Sequence, residues 1–195
     1  MTPEEIGARL VELLSADPTT SVMAGVSGGN AYRRATVDVP ATRWSEAVCV
    51  ARDELGCDFF DWLSAVDELP DGFTVVTHLW STDARHGVLL RTRLPREAPA
   101  LESIVEVYGG AAWHERETHE MFGIDFPGHG DLAPLLLPPE FEGHPLRKEF
   151  VLASRVAKPW PGAKEPGESE ATVSKRAPMR PPGVPDKSQW PGGRS

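Results

Sequence analysis

The sequence predicts an α+β domain, a mixed and largely antiparallel sheet flanked by helices, followed by an extended Pro/Gly-rich tail. Three observations carry this prediction. Segments with two-residue alternation sit in the middle of the chain, segments with helical spacing lie on either side of them, and the composition changes beyond residue 150. The last 45 of the 195 residues hold 8 prolines and 5 glycines and only scattered apolar side chains such as Trp160 and Trp190. We therefore expect a domain over 1–152 and a basic tail over 153–195 that is disordered or wrapped along a partner.

The elements follow in order. Thr2-Pro3-Glu4-Glu5 has the residues of a capping box with Pro at the first helical position, and Ile6, Leu10, Leu13 and Leu14 follow on one face. Gly25 to Asn30 reads as a turn, and Tyr32–Val39 as a half-buried strand with Ala35, Val37 and Val39 inward. After Pro40, the spacing of Trp44, Val48, Ala51 and Leu55 predicts a helix that stops at Gly56. Cys57–Leu63 suits a buried strand or a short helix, and Leu69-Pro70-Asp71-Gly72 is a turn. Phe73–Trp80 and Val88–Leu94 alternate as an antiparallel hairpin joined by a polar loop from Ser81 to Gly87. Glu102–Val107 predicts one or two helical turns, and Ala111–Phe122 a helix ending at Gly123. From Pro127 to Pro145, glycine and proline remove any periodicity.

Charge is distributed unevenly. Residues 1–150 carry 12 basic against 25 acidic side chains, whereas residues 151–195 carry 8 against 4. An acidic body argues against a nucleic-acid partner, since phosphate binding needs concentrated positive surface. No apolar run reaches the length of a membrane span and the first residues lack a basic, then apolar, leader, so neither insertion nor export is expected. Cys49 and Cys57 are too few for a disulfide framework or a cluster and read as interior thiols of a reducing compartment.

The densest polar cluster is Trp113 to Gly123. His114 and His119 are five residues apart, roughly 140° around a helix, so they cannot address one metal as a zinc-protease helix does. Helical geometry groups Trp113, Glu117, Glu120 and Met121, and a buried Trp and Met would draw two carboxylates inward. Such carboxylates need partners, and Arg116, Arg147 and Lys148 are the candidates for a polar lock between helix and C-terminal segment. No nucleophile or second acid stands beside them, so no catalytic, cofactor-binding or metal-binding residue is expected in this chain.

Two segments carry a resemblance. One runs Glu115-Arg116-Glu117-Thr118-His119-Glu120-Met121-Phe122-Gly123-Ile124 with His129 and Asp131 after it; the other is Gly143-His144-Pro145-Leu146-Arg147-Lys148. With Leu63–Asp67 and Phe73–Leu79 upstream, they make the chain similar to the 30 kDa subunit family of respiratory complex I, the bacterial NADH-quinone oxidoreductase. The resemblance covers roughly residues 30–152. It implies a peripheral-arm subunit on the cytoplasmic side of the cell membrane, touching the membrane only through its complex. It implies docking beside the large quinone-site subunit, with no cofactor of its own. FMN, iron–sulfur clusters and quinone then belong to partner subunits, and the assembly passes electrons from NADH to quinone while translocating protons.

This chain departs from that pattern at His119-Glu120, where an aromatic and Asp are usual, and at Ala133-Pro134, where two arginines are usual. His119 resembles the equivalent subunits of membrane-bound energy-converting hydrogenases, which are the alternative assembly. A stand-alone metal-dependent hydrolase using His114, His119 and Glu115 is the remaining rival.

Overall fold

The N-terminal capping box forms as its residues dictate. Thr2 Oγ1 accepts from the Glu5 amide at 3.2 Å and the Glu5 carboxylate accepts from the Thr2 amide at 2.8 Å, opening helix α1 over Pro3–Leu14. This computed structural model describes residues 1–15, 21–29 and 32–151, so the predicted tail over 153–195 lies outside the described residues. Strands β1 (Met23–Ser27) and β2 (Arg34–Asp38) follow, then a 3₁₀ turn over Ala41–Arg43 that runs into α2 (Trp44–Glu54). Strands β3 (Phe59–Asp67), β4 (Phe73–Ser81) and β5 (His86–Leu94) complete the sheet, and α3 (Ala111–Phe122) comes last.

The sheet order is β1-β2-β5-β4-β3. Three of its pairings are antiparallel and one, β2 with β5, is parallel, which is the mixed, largely antiparallel sheet the alternation predicts. The parallel pair arises because α2 and the β3–β4 hairpin intervene between β2 and β5, giving the chain the length a crossover needs. Ile6, Leu10 and Leu14 of α1 and Trp44, Ala47, Val48 and Ala51 of α2 are buried in one core with Ala35, Val37, Val75, Leu79, Val88 and Leu90 of the sheet. Phe73, Val75, Thr77 and Leu79 are all buried, as their shared face predicts.

Several expectations need correction. Met23–Ser27, part of which reads as a turn, is an edge strand; its uncharged, Gly-containing sequence lacks an apolar alternation, and pairing with β2 alone makes it extended. Strand β2 is shorter than predicted, and Tyr32 is exposed. The β4–β5 hairpin is tighter, with Ser81 opposite His86 and only Thr82–Arg85 in the loop. His86, expected in a loop, is buried in β5 with Nε2 2.9 Å from Leu55 O. Residues 102–107 form no helix. Leu101 N–H donates to Asp125 O and Ser103 N–H to Pro127 O, so long-range pairing claims the start of this stretch, and the winding that the spacing predicts is confined to one turn in which the Val107 and Tyr108 amides both donate to Ile104 O. Cys57–Leu63, open between strand and helix, is strand from Phe59.

Cys57 is buried and Cys49 half-buried, both as free thiols. Burial pushes the Cys57 thiol up to about 12, which leaves it protonated and inert at neutral pH.

Candidate functional site

Helix α3 holds most of the residues singled out above, and its buried stripe is Ala111, Glu115, Thr118, Met121 and Phe122. Those positions recur at three and four residues and fix which side faces the core. The carboxylate taken fully inside is therefore Glu115. It accepts from Ser103 Oγ at 2.6 Å and from the Ile104 amide at 2.7 Å, stapling the helix to the segment before it. Burial raises the Glu115 pKa, against the opposing pull of these two donors and of His129.

The predicted Glu117/Glu120 lock is not what forms. Trp113, the anchor of that expectation, is 70% exposed, so its side of the helix points outward, although Met121 is buried as expected. Glu117 is half-buried and has no hydrogen-bond or ion-pair partner among the described residues. Among the described residues Glu120 pairs with no cation: its two oxygens accept the backbone N–H groups of Leu135, Leu136 and Leu137 at 3.3, 2.8 and 2.8 Å. Arg116 instead donates to Ala133 O and Pro134 O, both at 2.9 Å. Ala133 and Pro134 thus supply backbone carbonyls to an arginine of α3.

The C-terminal segment closes the end of the same helix. An α-helix leaves its last four carbonyls without internal donors. Here the Gly123 amide donates to His119 O at 2.8 Å and His144 Nδ1 to Glu120 O at 2.9 Å. The Leu146 amide donates to Met121 O at 3.1 Å and Arg147 Nε to Phe122 O at 2.6 Å. The Gly143–Lys148 segment is thus a cap assembled from distant chain, with the Arg147 guanidinium at the negative end of the helix dipole. Gly123 permits it, because its φ of 68° reverses the chain and an added Cβ would come within 2.5 Å of His144 Nε2 and 2.6 Å of Arg147 Nη2. Arg147 also lies over the Phe73 ring at 5.3 Å.

Asp67, at the end of β3, completes the closure. It accepts from Arg96 Nη1 at 2.8 Å and from the Lys148 amide at 2.8 Å, and Arg96 also pairs with Glu149. The Arg96 guanidinium, aided by the Lys148 N–H, holds the Asp67 carboxyl below its usual range despite burial. Lys148 therefore acts through its backbone. His129 Nε2 donates to Ala112 O at 2.9 Å, while its Nδ1 accepts from the Asp131 amide at 3.2 Å. Asp131 in turn accepts from the Ala133 amide at 3.0 Å.

The histidines of the metal-hydrolase rival have separate partners. His114 Nδ1 lies 3.2 Å from Leu63 O and His119 Nδ1 donates to Ile124 O at 2.8 Å. Among the described residues no group of three His, Cys, Asp or Glu is gathered as a metal site. A groove of about 300 Å³ lies between the end of α3 and the returning chain, lined by His119, Leu132, Leu137, Phe141 and His144. Leu136, Phe141, Leu146 and Val151 along that returning chain are exposed.

Sequence reasoning missed Glu115 as the buried acid and the capping role of Gly143–Lys148. The second left no local signal, since its donors lie more than twenty residues after the carbonyls they cap.

Residues 37–156 match the family described as respiratory-chain NADH dehydrogenase, 30 Kd subunit. A 138-residue stretch, 68% of this chain, is 38% identical to the C subunit of NADH-quinone oxidoreductase from Methylobacterium radiotolerans and covers 63% of that protein. A 96-residue stretch, 47% of this chain, is 43% identical to the C subunit of F(420)H(2) dehydrogenase from Methanosarcina mazei, covering 61% of it. The C/D subunit of NADH-quinone oxidoreductase from Methylococcus capsulatus is 39% identical over 137 residues, 64% of this chain but only 23% of that protein. The chain thus spans less than two thirds of the curated relatives it matches.

Among solved structures, a chain of the membrane-bound sulfane sulfur reductase, an archaeal respiratory membrane complex, superposes with TM-score 0.63 at 25% identity. That match covers 76% of this chain and 85% of the other. The trypsin-resistant fragment of Nqo5 gives 0.54 at 26% identity, over 65% of this chain and 98% of the fragment. The family match covers well over half of the chain and contains both the α3 signature and the segment that caps it: this protein belongs to the family of the 30 kDa subunit of respiratory-chain NADH dehydrogenase.

Proposed function

We propose that this chain is the peripheral-arm subunit of an NADH-quinone oxidoreductase, a scaffold that docks beside the large quinone-site subunit on the cytoplasmic side of the membrane. The observation that carries this reading is how the signature residues are used. Glu115, Arg116, Glu120, His144 and Arg147 all bond to the chain's own backbone, and Asp67 binds backbone and Arg96 together. Their role is to hold an extended segment rigid with apolar side chains outward, which serves assembly. FMN, iron–sulfur clusters and quinone are then carried by the partner subunits, and electron transfer with proton translocation is a property of the assembly. No helix among the described residues is long and apolar enough to cross a membrane, which suits attachment through partners.

Affinity capture of the tagged chain from its native membranes in mild detergent tests this. The expected result is recovery of NADH-oxidising, iron–sulfur and quinone-site subunits with NADH:quinone activity in the eluate. The purified chain alone should lack flavin and iron absorbance. Recovery of the chain without partners would overturn the reading.

A second reading keeps the scaffold role in an assembly with another electron donor or acceptor. The comparable identity to an F(420)H(2) dehydrogenase subunit, the superposition on a sulfane sulfur reductase chain and His119 in place of an aromatic favour it. The same capture decides, since a nickel–iron or F420-linked partner would replace the NADH-oxidising one.

A further inference from the structure

We propose that Trp113 and Glu117 form a docking point for a basic side chain, Arg or Lys, of a partner protein subunit; this rests on the scaffold reading above. The two residues are one turn apart on the outward side of α3, opposite the stripe that holds Ala111, Glu115, Thr118 and Phe122 in the core. Trp113 is 70% exposed, whereas Trp44 is fully buried and Trp62 and Trp80 are half-buried. No ring contact or hydrogen bond within the described chain occupies its indole. The positions one turn before it are Gly109 and Gly110, so the preceding turn carries no side chain to screen the ring.

Glu117 supplies the charge. It is half-buried and without a hydrogen-bond or ion-pair partner among the described residues. Arg116, the adjacent cation, is committed to Ala133 O and Pro134 O. Helical side chains lean toward the N-terminus, so the Glu117 carboxylate covers the turn that carries Trp113. An open indole face beside an unneutralised carboxylate recognises a cation that can stack on the one and pair with the other. Guanidinium fits best because it is planar and weakly hydrated. An anionic or purely apolar partner would leave Glu117 desolvated and unpaired. Because α3 is fixed at its far end by the Gly143–Lys148 cap and at Glu115 by Ser103 and Ile104, the pair stands on a rigid support.

The test uses the full tagged chain in its native host, comparing the parent with W113A, E117K and E117D, each also purified alone for its thermal midpoint. Expected are unchanged midpoints, a loss of co-purified partner of about tenfold or more for W113A and E117K, and partial retention for E117D. A photo-crosslinking residue at position 113 should join a partner peptide that contains Arg or Lys. Parental recovery of partners by both W113A and E117K would overturn the docking point while leaving the scaffold reading intact. A crosslink to a peptide free of basic residues would do the same. A parent chain recovered alone would overturn both.

Discussion

Around α2 the fold is held by Trp44, Ala47, Val48 and Ala51, all fully buried against strand residues such as Val37 and Leu90. Around α3, by contrast, the outer layer is a run of chain without regular structure, from Pro127 to Val151, held by polar groups bonding to backbone. The first region resists change in proportion to area removed from water. The second depends on a few directional bonds, each of which also sets where exposed side chains such as Leu136 and Leu146 stand. The sheet is thus kept by its interior, and the course of the outer chain by its polar bonds.

Trp44→Ala should have the largest effect. It empties a fully buried site in the apolar region and should cost about 3–5 kcal/mol, read as a lower urea midpoint for the whole domain. Gly123→Ala should cost less, about 1–3 kcal/mol, by placing a Cβ against His144 and Arg147 at positive φ. Its mark should be selective: proteolysis between residues 127 and 151 at conditions where the sheet core stays protected. A uniform loss of protection would show that the two regions unfold as one.

Acidity should separate two carboxylates within the polar region. Asp67 has its pKa lowered, so its contribution is present above the ordinary Asp value of about 3.9 and lost as pH falls through the folded value. Glu115 has its pKa raised by burial, so its contribution is full below the ordinary Glu value of about 4.3 and is lost as pH rises through the folded value. Urea midpoints across this range should therefore show a flatter acid limb in Asp67→Asn and a flatter mildly acidic slope in Glu115→Gln. Exchange of these two phenotypes would reverse the assignment. Smallest of all, Arg9→Ala removes an exposed pair with Glu12 and should change stability by under about 0.5 kcal/mol.

Apolar periodicity made α1, α2, β4 and β5 legible, because side chains that must share a face recur at 3.6 or 2 residues. The Thr2 capping box was equally plain, being a contact within four residues. Strand β1 was not legible, since its residues are mostly exposed and it is extended only by pairing with β2. Within α3 the period was right and the phase wrong: taking Trp113 as a core residue rotated the face and placed Glu117 inside instead of Glu115. A large aromatic is usually a sound anchor for a buried face, and one kept at the surface breaks that assumption.

By itself the sequence determined the fold class, most element positions and, through the α3 and Gly143–Lys148 signatures, the family. Those features are local patterns, written in consecutive residues and needing no knowledge of what lies opposite. Only the tertiary structure decided which carboxylate is buried, that Glu120 and Arg116 serve backbone groups, and that His144, Leu146 and Arg147 cap α3. The physical reason is that a helix end requires donors without specifying their origin. Chain more than twenty residues away supplies three of them, and that pairing exists only once the sheet has set the path of the returning segment.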